Sequence, residues 1–125
     1  MESPEDIRSA LTSQIGTEQY WLAFPENDKF LLTDGVKLMA EMCEAFWLIT
    51  AVFSWQSEDK VTNEPFQVWI LRFIDKEKGD NALLTCEDGN KREVARQEIE
   101  FTDFPLPEGI KLFLDGGVLM LPSEY

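Results

Sequence analysis

The apolar periodicity of this chain changes once, near Phe66, and that change constrains the fold more than any other feature. Before it, apolar residues recur mainly at helical spacing, apart from two short extended segments within residues 20–32; after it, they come in short runs separated by turn residues. Helices first and strands afterwards is the pattern of an α+β domain, here with N-terminal helices packed on one face of a mostly antiparallel sheet of about five strands.

Ser3-Pro4-Glu5-Asp6 is a helix start: Ser3 as N-cap, Pro4 in the first turn, and two carboxylates at the positive end of the helix dipole. Ile7, Ala10, Leu11 and Ile15 share one face, and Gly16 is placed to close the helix. Tyr20 to Phe24 and Lys29 to Leu32 read as short extended segments on each side of a Pro25-Glu26-Asn27-Asp28 turn. A second helical region starts at the Thr33-Asp34 cap and runs up to about Trp55. Its latter half, Phe46 to Phe53, is apolar almost all round, which predicts burial on more than one face, with a break near Cys43-Glu44.

Phe66 to Ile74 and Ala82 to Cys86 are predicted as two antiparallel strands joined by a turn through residues 75–80. Asp88-Gly89-Asn90 is a further tight turn. Val94 to Phe101 alternates, with Ala95, Gln97, Ile99 and Phe101 opposite Val94, Arg96, Glu98 and Glu100, so that one side packs and the other stays wet. Pro105 and Pro107 end that strand, and residues 110–121 form a last hairpin around Asp115-Gly116-Gly117. No repeat or linker interrupts the chain, and 125 residues fit one compact domain, residues 1–125.

Charge then excludes classes of ligand. The chain has 24 Asp and Glu against 11 Lys and Arg, no His, and a net charge of −13. Residues 1–62 carry 11 acids and 4 bases and residues 63–125 carry 13 and 7, so the charge belongs to the folded body. Such a chain disfavours direct binding to nucleic acid, whose affinity comes from cations that displace counterions, and disfavours anionic membranes. The lack of His removes the commonest general base and the commonest metal ligand. Cys43 and Cys86 are too few for a disulfide framework, which predicts two reduced thiols in a cytoplasmic protein. The acidic N-terminus does not read as a signal peptide, and the longest nearly apolar run, Ala45 to Phe53, is about half a membrane span.

No phosphate-binding loop, dinucleotide fingerprint, nucleophile elbow or Cys-x-x-Cys pair occurs. Asp75-x-Glu77 with Glu87 approaches a calcium loop, but the glycine falls one place early at Gly79 and Cys86 stands where a bidentate Glu is needed. No cofactor or metal is predicted. Among the tryptophans, Trp47 and Trp69 lie in apolar stretches and read as core, whereas Trp55, beside an acidic loop, is a candidate interface anchor.

The remaining constellation is the acidic surface. Glu98, Glu100 and Asp103 follow one strand, and Glu58, Asp59, Glu64, Asp75, Glu77, Asp80, Glu87 and Asp88 sit in loops and turns. The bland reading is solubility. The sharper reading is a polyanion presented to a basic groove. Alternate strand carboxylates stand roughly 6.6 Å apart, against one charge per about 1.7 Å of duplex axis, so several loops must converge for mimicry.

Phe30-Leu31-Leu32-Thr33-Asp34-Gly35-Val36-Lys37, Phe46-Trp47-Leu48, Phe66-Gln67-Val68-Trp69, residues 83–90, residues 96–105 and the ending Leu119-Met120-Leu121-Pro122-Ser123-Glu124-Tyr125 are distinctive. Together they resemble a domain-of-unknown-function family of small acidic proteins carried by bacteria, plasmids and phages. The resemblance brings no catalytic residues. It implies a role in conflict between host and mobile element, such as inhibition of CRISPR or restriction machinery. Thr33-Asp34-Gly35, Asp88-Gly89-Asn90 and Asp115-Gly116-Gly117 are nevertheless turn and cap chemistry.

The expectation is therefore a non-enzymatic inhibitor that occupies the basic surface of a host nucleic-acid-binding complex. Two alternatives come from other classes. A small hydrolase using carboxylates or a metal requires converging acids with a raised pKa. An assembly protein of a mobile element requires an exposed apolar patch, through Trp55 or through Val118 to Leu121 as an unpaired edge strand.

Overall fold

The computed structural model describes residues 3–74 and 81–125; the predicted turn through residues 75–80 lies outside them. Helix α1 (Pro4–Thr12) starts as expected, with the Asp6 amide donating to Ser3 Oγ at 3.2 Å. It ends earlier than expected, because the Thr12 and Ser13 hydroxyls donate back to the carbonyls of Ser9 and Ala10. Ile15 is consequently off the helix and exposed rather than on its buried face.

The two segments around Pro25 are full strands, β1 (Tyr20–Phe24) and β2 (Asn27–Thr33). Helix α2 (Asp34–Met42) follows directly and stops at Cys43; Glu44, at φ 52°, turns the chain into α3 (Phe46–Ser54). That is the predicted break. In α3, Leu48, Ile49, Val52 and Phe53 are buried, while the i, i+4, i+8 stripe of Phe46, Thr50 and Ser54 is exposed. The helix is thus covered on one broad face and not all round. A 3-10 turn at Trp55–Ser57 and the short α4 (Asp59–Thr62) lead to β3 (Phe66–Phe73), β4 (Ala82–Glu87), β5 (Glu93–Ile99), β6 (Ile110–Asp115) and β7 (Val118–Met120).

Among the described residues the sheet has seven strands rather than about five, in the order β1-β2-β7-β6-β3-β4-β5. It is mixed: β2 pairs parallel with β7, and the other neighbours are antiparallel. The N-terminal hairpin joins through Gly117, which has φ 84° in the β6–β7 turn; its carbonyl accepts from the Leu31 amide at 2.9 Å. A Cβ there would stand 2.3 Å from the Lys29 carbonyl oxygen, so only glycine lets the turn reach β2. Strand β7 therefore sits inside the sheet, and Val118 to Leu121 is not an unpaired edge.

Register divides the sheet into two faces. Trp69 lies opposite Cys86 and Leu112, Leu71 opposite Leu84, and Leu114 opposite Leu119, which pairs on to Leu32. These residues are buried in one cluster with Ile7, Val36, Met39, Leu48, Ile49 and Val52 of the helices. Burying that set is the main driving force for the fold. The alternate residues form the other face: Leu31, Val118, Met120, Phe113, Val68, Ile70 and Leu83. All are only partly buried, and none belongs to the core cluster or is among the partly buried residues packed on it.

Candidate functional site

Among the described acids singled out from the sequence, two groups stand at opposite ends of β5, a strand roughly 20 Å long. The first surrounds Arg92. Glu64 and Asp88 pair with its guanidinium at 3.4 and 3.2 Å. Asp88 is also a turn organiser: Oδ1 accepts from the amides of Asn90 at 2.8 Å and Arg92 at 2.9 Å. Those amides, Arg92 first, hold its carboxyl below the usual range. Beneath them, burial pushes the Cys86 thiol up to about 12, with the charges of Glu64, Glu87 and Asp88 adding to the effect. Glu58 and Asp59, at the start of α4, are exposed. Asp75, Glu77 and Asp80 lie outside the described residues, as does most of the calcium-like spacing. Among the described residues no group of three or more Cys, Asp or Glu side chains could hold a metal ion.

Trp55, the candidate anchor, is held in place by contacts of its own. It is partly buried against the core, its Nε1 donates to Gln97 Oε1 on β5 at 2.7 Å, and Lys60 stands 5.9 Å from the ring centroid.

The second group is Glu98, Glu100 and Asp103. Glu98 points to the outer face of the sheet, opposite Leu83. The strand ends at Ile99, two residues short of its predicted end, because Phe101 takes φ 56°. The anchors of the following loop are Phe104 and Leu106, both buried, and the Phe104 amide donates to Thr102 Oγ1 at 3.2 Å. Phe101 is therefore turned outward, 85% exposed, instead of packing with Ile99. An aromatic residue held in the left-handed region is an unfavourable backbone state retained by its surroundings. Trp47, Ile99, Glu100, Phe101, Thr102 and Asp103 line a recess of about 310 Å³. Aromatic and aliphatic walls bordered by carboxylates suit a guanidinium or ammonium group, which gains from ring faces and from charge-assisted hydrogen bonds together.

A larger recess of about 470 Å³ lies between α1, residues 106–111 and the C-terminal segment. It is lined mainly by Leu11, Leu106, Ile110, Leu121 and Pro122, and Arg8 and Glu108 close its rim in a bidentate pair at 2.6 and 2.9 Å. It offers no converging carboxylates.

Three constellations escaped the sequence reading, and each holds structure together. Asp34 accepts from Trp21 Nε1 at 2.8 Å and from the Glu18 amide at 2.9 Å; these bonds, Trp21 first, hold its carboxyl low. Glu124 reaches across from the C-terminus to accept from Thr33 Oγ1 at 2.6 Å, the Gly35 amide at 3.0 Å and its own Leu121 amide at 3.0 Å. Both carboxylates sit at the positive end of α2. Gln67 is a buried hub: it exchanges two 2.9 Å bonds with Gln56, accepts from Trp69 Nε1 at 2.9 Å and donates to the Val61 carbonyl at 2.9 Å. The visible signal was one amide in an otherwise apolar strand run.

No described helix is long and apolar enough to cross a membrane. Comparison with curated proteins and with solved structures gave no match. Over residues 5–125 the chain matches the model of a family of unknown function, DUF6876, and belongs to that family.

Proposed function

We propose, for this member of a family of unknown function, a non-enzymatic binding role: it occupies the basic nucleic-acid-binding surface of a host complex of the CRISPR or restriction kind, on behalf of a mobile element. The mobile-element setting comes from the sequence resemblance. The observation that carries the binding role is the recess beside Phe101, where an 85% exposed aromatic ring, Trp47 and the carboxylates of Glu100 and Asp103 meet. Two of the predicted acids thus border an apolar platform, while Glu98, on the opposite face of the sheet, stands apart from it. A basic segment laid here pairs its charges and covers the rings.

Carboxylate catalysis has less support. A general acid needs a raised pKa, whereas the carboxyls clearly displaced here, Asp34, Asp88 and Glu93, are all held low by hydrogen-bond donors.

Pull-down with purified CRISPR effectors and restriction endonucleases at rising salt tests the role. A complex that weakens steeply between roughly 0.05 and 0.5 M salt is expected. No partner, or a complex indifferent to salt, contradicts it.

A further inference from the structure

We propose that the outward face of the sheet is the contact surface of a homodimer. The run Phe66-Gln67-Val68-Trp69-Ile70-Leu71 is nearly continuous in apolar residues, the pattern of a strand covered on both faces. The core covers one. On the other, Leu31, Val68, Ile70, Phe113 and Met120 stand partly exposed with no element of the core against them. At one end Phe66, Phe113 and the 72% exposed Tyr125 form a ring cluster with centroids 5.1 to 5.6 Å apart.

Size and charge point to a second copy. Five strands at about 4.8 Å spacing and about seven residues at about 3.4 Å give a face on the order of 600 Å². That approaches the roughly 800 Å² per partner of a standard interface. The −13 body repels its own copies, but on this face the outward bases Arg72, Arg96 and Lys111 are matched by the outward acids Glu87, Glu98 and Asp115, so the face itself is balanced in charge. Among the described residues neither Arg72 nor Lys111 is in an ion pair.

On β6 the outward residues are Lys111, Phe113 and Asp115, in that order. A twofold axis crossing the strands at Phe113 lays β6 on its counterpart in reverse. Lys111 of each copy then meets Asp115 of the other, and Phe113 and Val68 meet their equivalents. This is the self-complementary geometry a closed dimer requires, with the two sheets packed face to face at about 10 Å. Glu87, on the Val68 row toward the β5 side, faces its own equivalent across the axis, so the closest contact centres on β6 and β7 rather than on β4. The same rings and bases also resemble a platform for single-stranded nucleic acid, but the overall charge opposes that occupant.

Sedimentation equilibrium of the full chain, with thermal melting to confirm folding, tests the dimer. Wild type is expected to sediment at twice 14.4 kDa at roughly 100 μM, and Phe113→Glu as a monomer. Lys111→Glu and Asp115→Lys, both at exposed positions, are each expected to weaken the dimer about tenfold, and mixing the two restores a heterodimer. A monomeric wild type, a dimer indifferent to Lys111→Glu, or a monomer that binds a single-stranded oligonucleotide through this face would each overturn the proposal.

Discussion

Thr85 is the described residue whose buried side-chain oxygen has no hydrogen-bond partner. It is 3% exposed, in register with Ile70 and Arg96 on the outer face of the sheet. Valine keeps the branched shape and removes the unsatisfied hydroxyl, so Thr85→Val is expected to raise unfolding stability by about 1 kcal/mol in a urea titration. A loss of stability would contradict that reading. Gln67 is the opposite case: Gln67→Leu strands the Trp69 Nε1 donor and Gln56 Oε1, while Gln56 Nε2 keeps the Val52 carbonyl, and should cost about 2 kcal/mol in the same titration. The thiols are equally residue-bound. Burial pushes Cys43 up to about 11 and Cys86 up to about 12, so neither is expected to react with a thiol reagent at pH 8 until denaturant is added. At this scale Gln67 was visible as a polar letter in an apolar run, but its partners lie 11 and 6 residues back along the chain and follow no local rule. Phe101 was misread because alternation assigned it to the packed side, and nothing in a phenylalanine announces a left-handed backbone.

Elements were legible where their chemistry is local. The caps of α1 and α2, the break at Cys43-Glu44 and the Gly116-Gly117 turn all rest on residues adjacent in sequence. The parallel pairing of β2 with β7 does not, since it joins residues about 87 apart, and without it β1 and β2 read only as extended segments. Helix α2 depends on that closure: a Cβ at Gly35 would stand 2.5 Å from Glu124 Oε1. Gly35→Ala should therefore displace the Glu124 carboxylate and destabilise the fold by about 2 kcal/mol, measurable as a lower melting temperature. Acid acts on the same kind of contact. Asp34, Asp88 and Glu93 are held below their ordinary values of 3.8, 3.8 and 4.5. The unfolded chain thus takes up their protons more readily than the folded one. Their stabilisation is complete above those ordinary values and is lost as pH falls through the lower folded values. Melting temperature should be flat through neutral pH and fall below about pH 4; a fall beginning near pH 6 would contradict these groups as its source.

For the whole molecule, the α+β class and the surface placement of charge followed from composition and pattern, because both are averages over many residues. Convergence of the acids is a matter of three dimensions, and the fold separates an Arg92 group, Glu64 and Asp88, from a Phe101 group, Glu100 and Asp103, at opposite ends of β5. Asp88 and Glu64 are partly neutralised by Arg92, which leaves Glu100 and Asp103 beside Trp47 and Phe101 as the acids best placed to act on a partner. The proposed role of this group is to displace nucleic acid from a basic host complex. It is tested most directly by titrating the protein into purified CRISPR effectors and restriction endonucleases bound to labelled duplex. Wild type should release the duplex at low salt, and a folded Glu100→Gln, Asp103→Asn variant should need at least about tenfold more protein. No release from any of them, or equal release by the variant, would contradict the account.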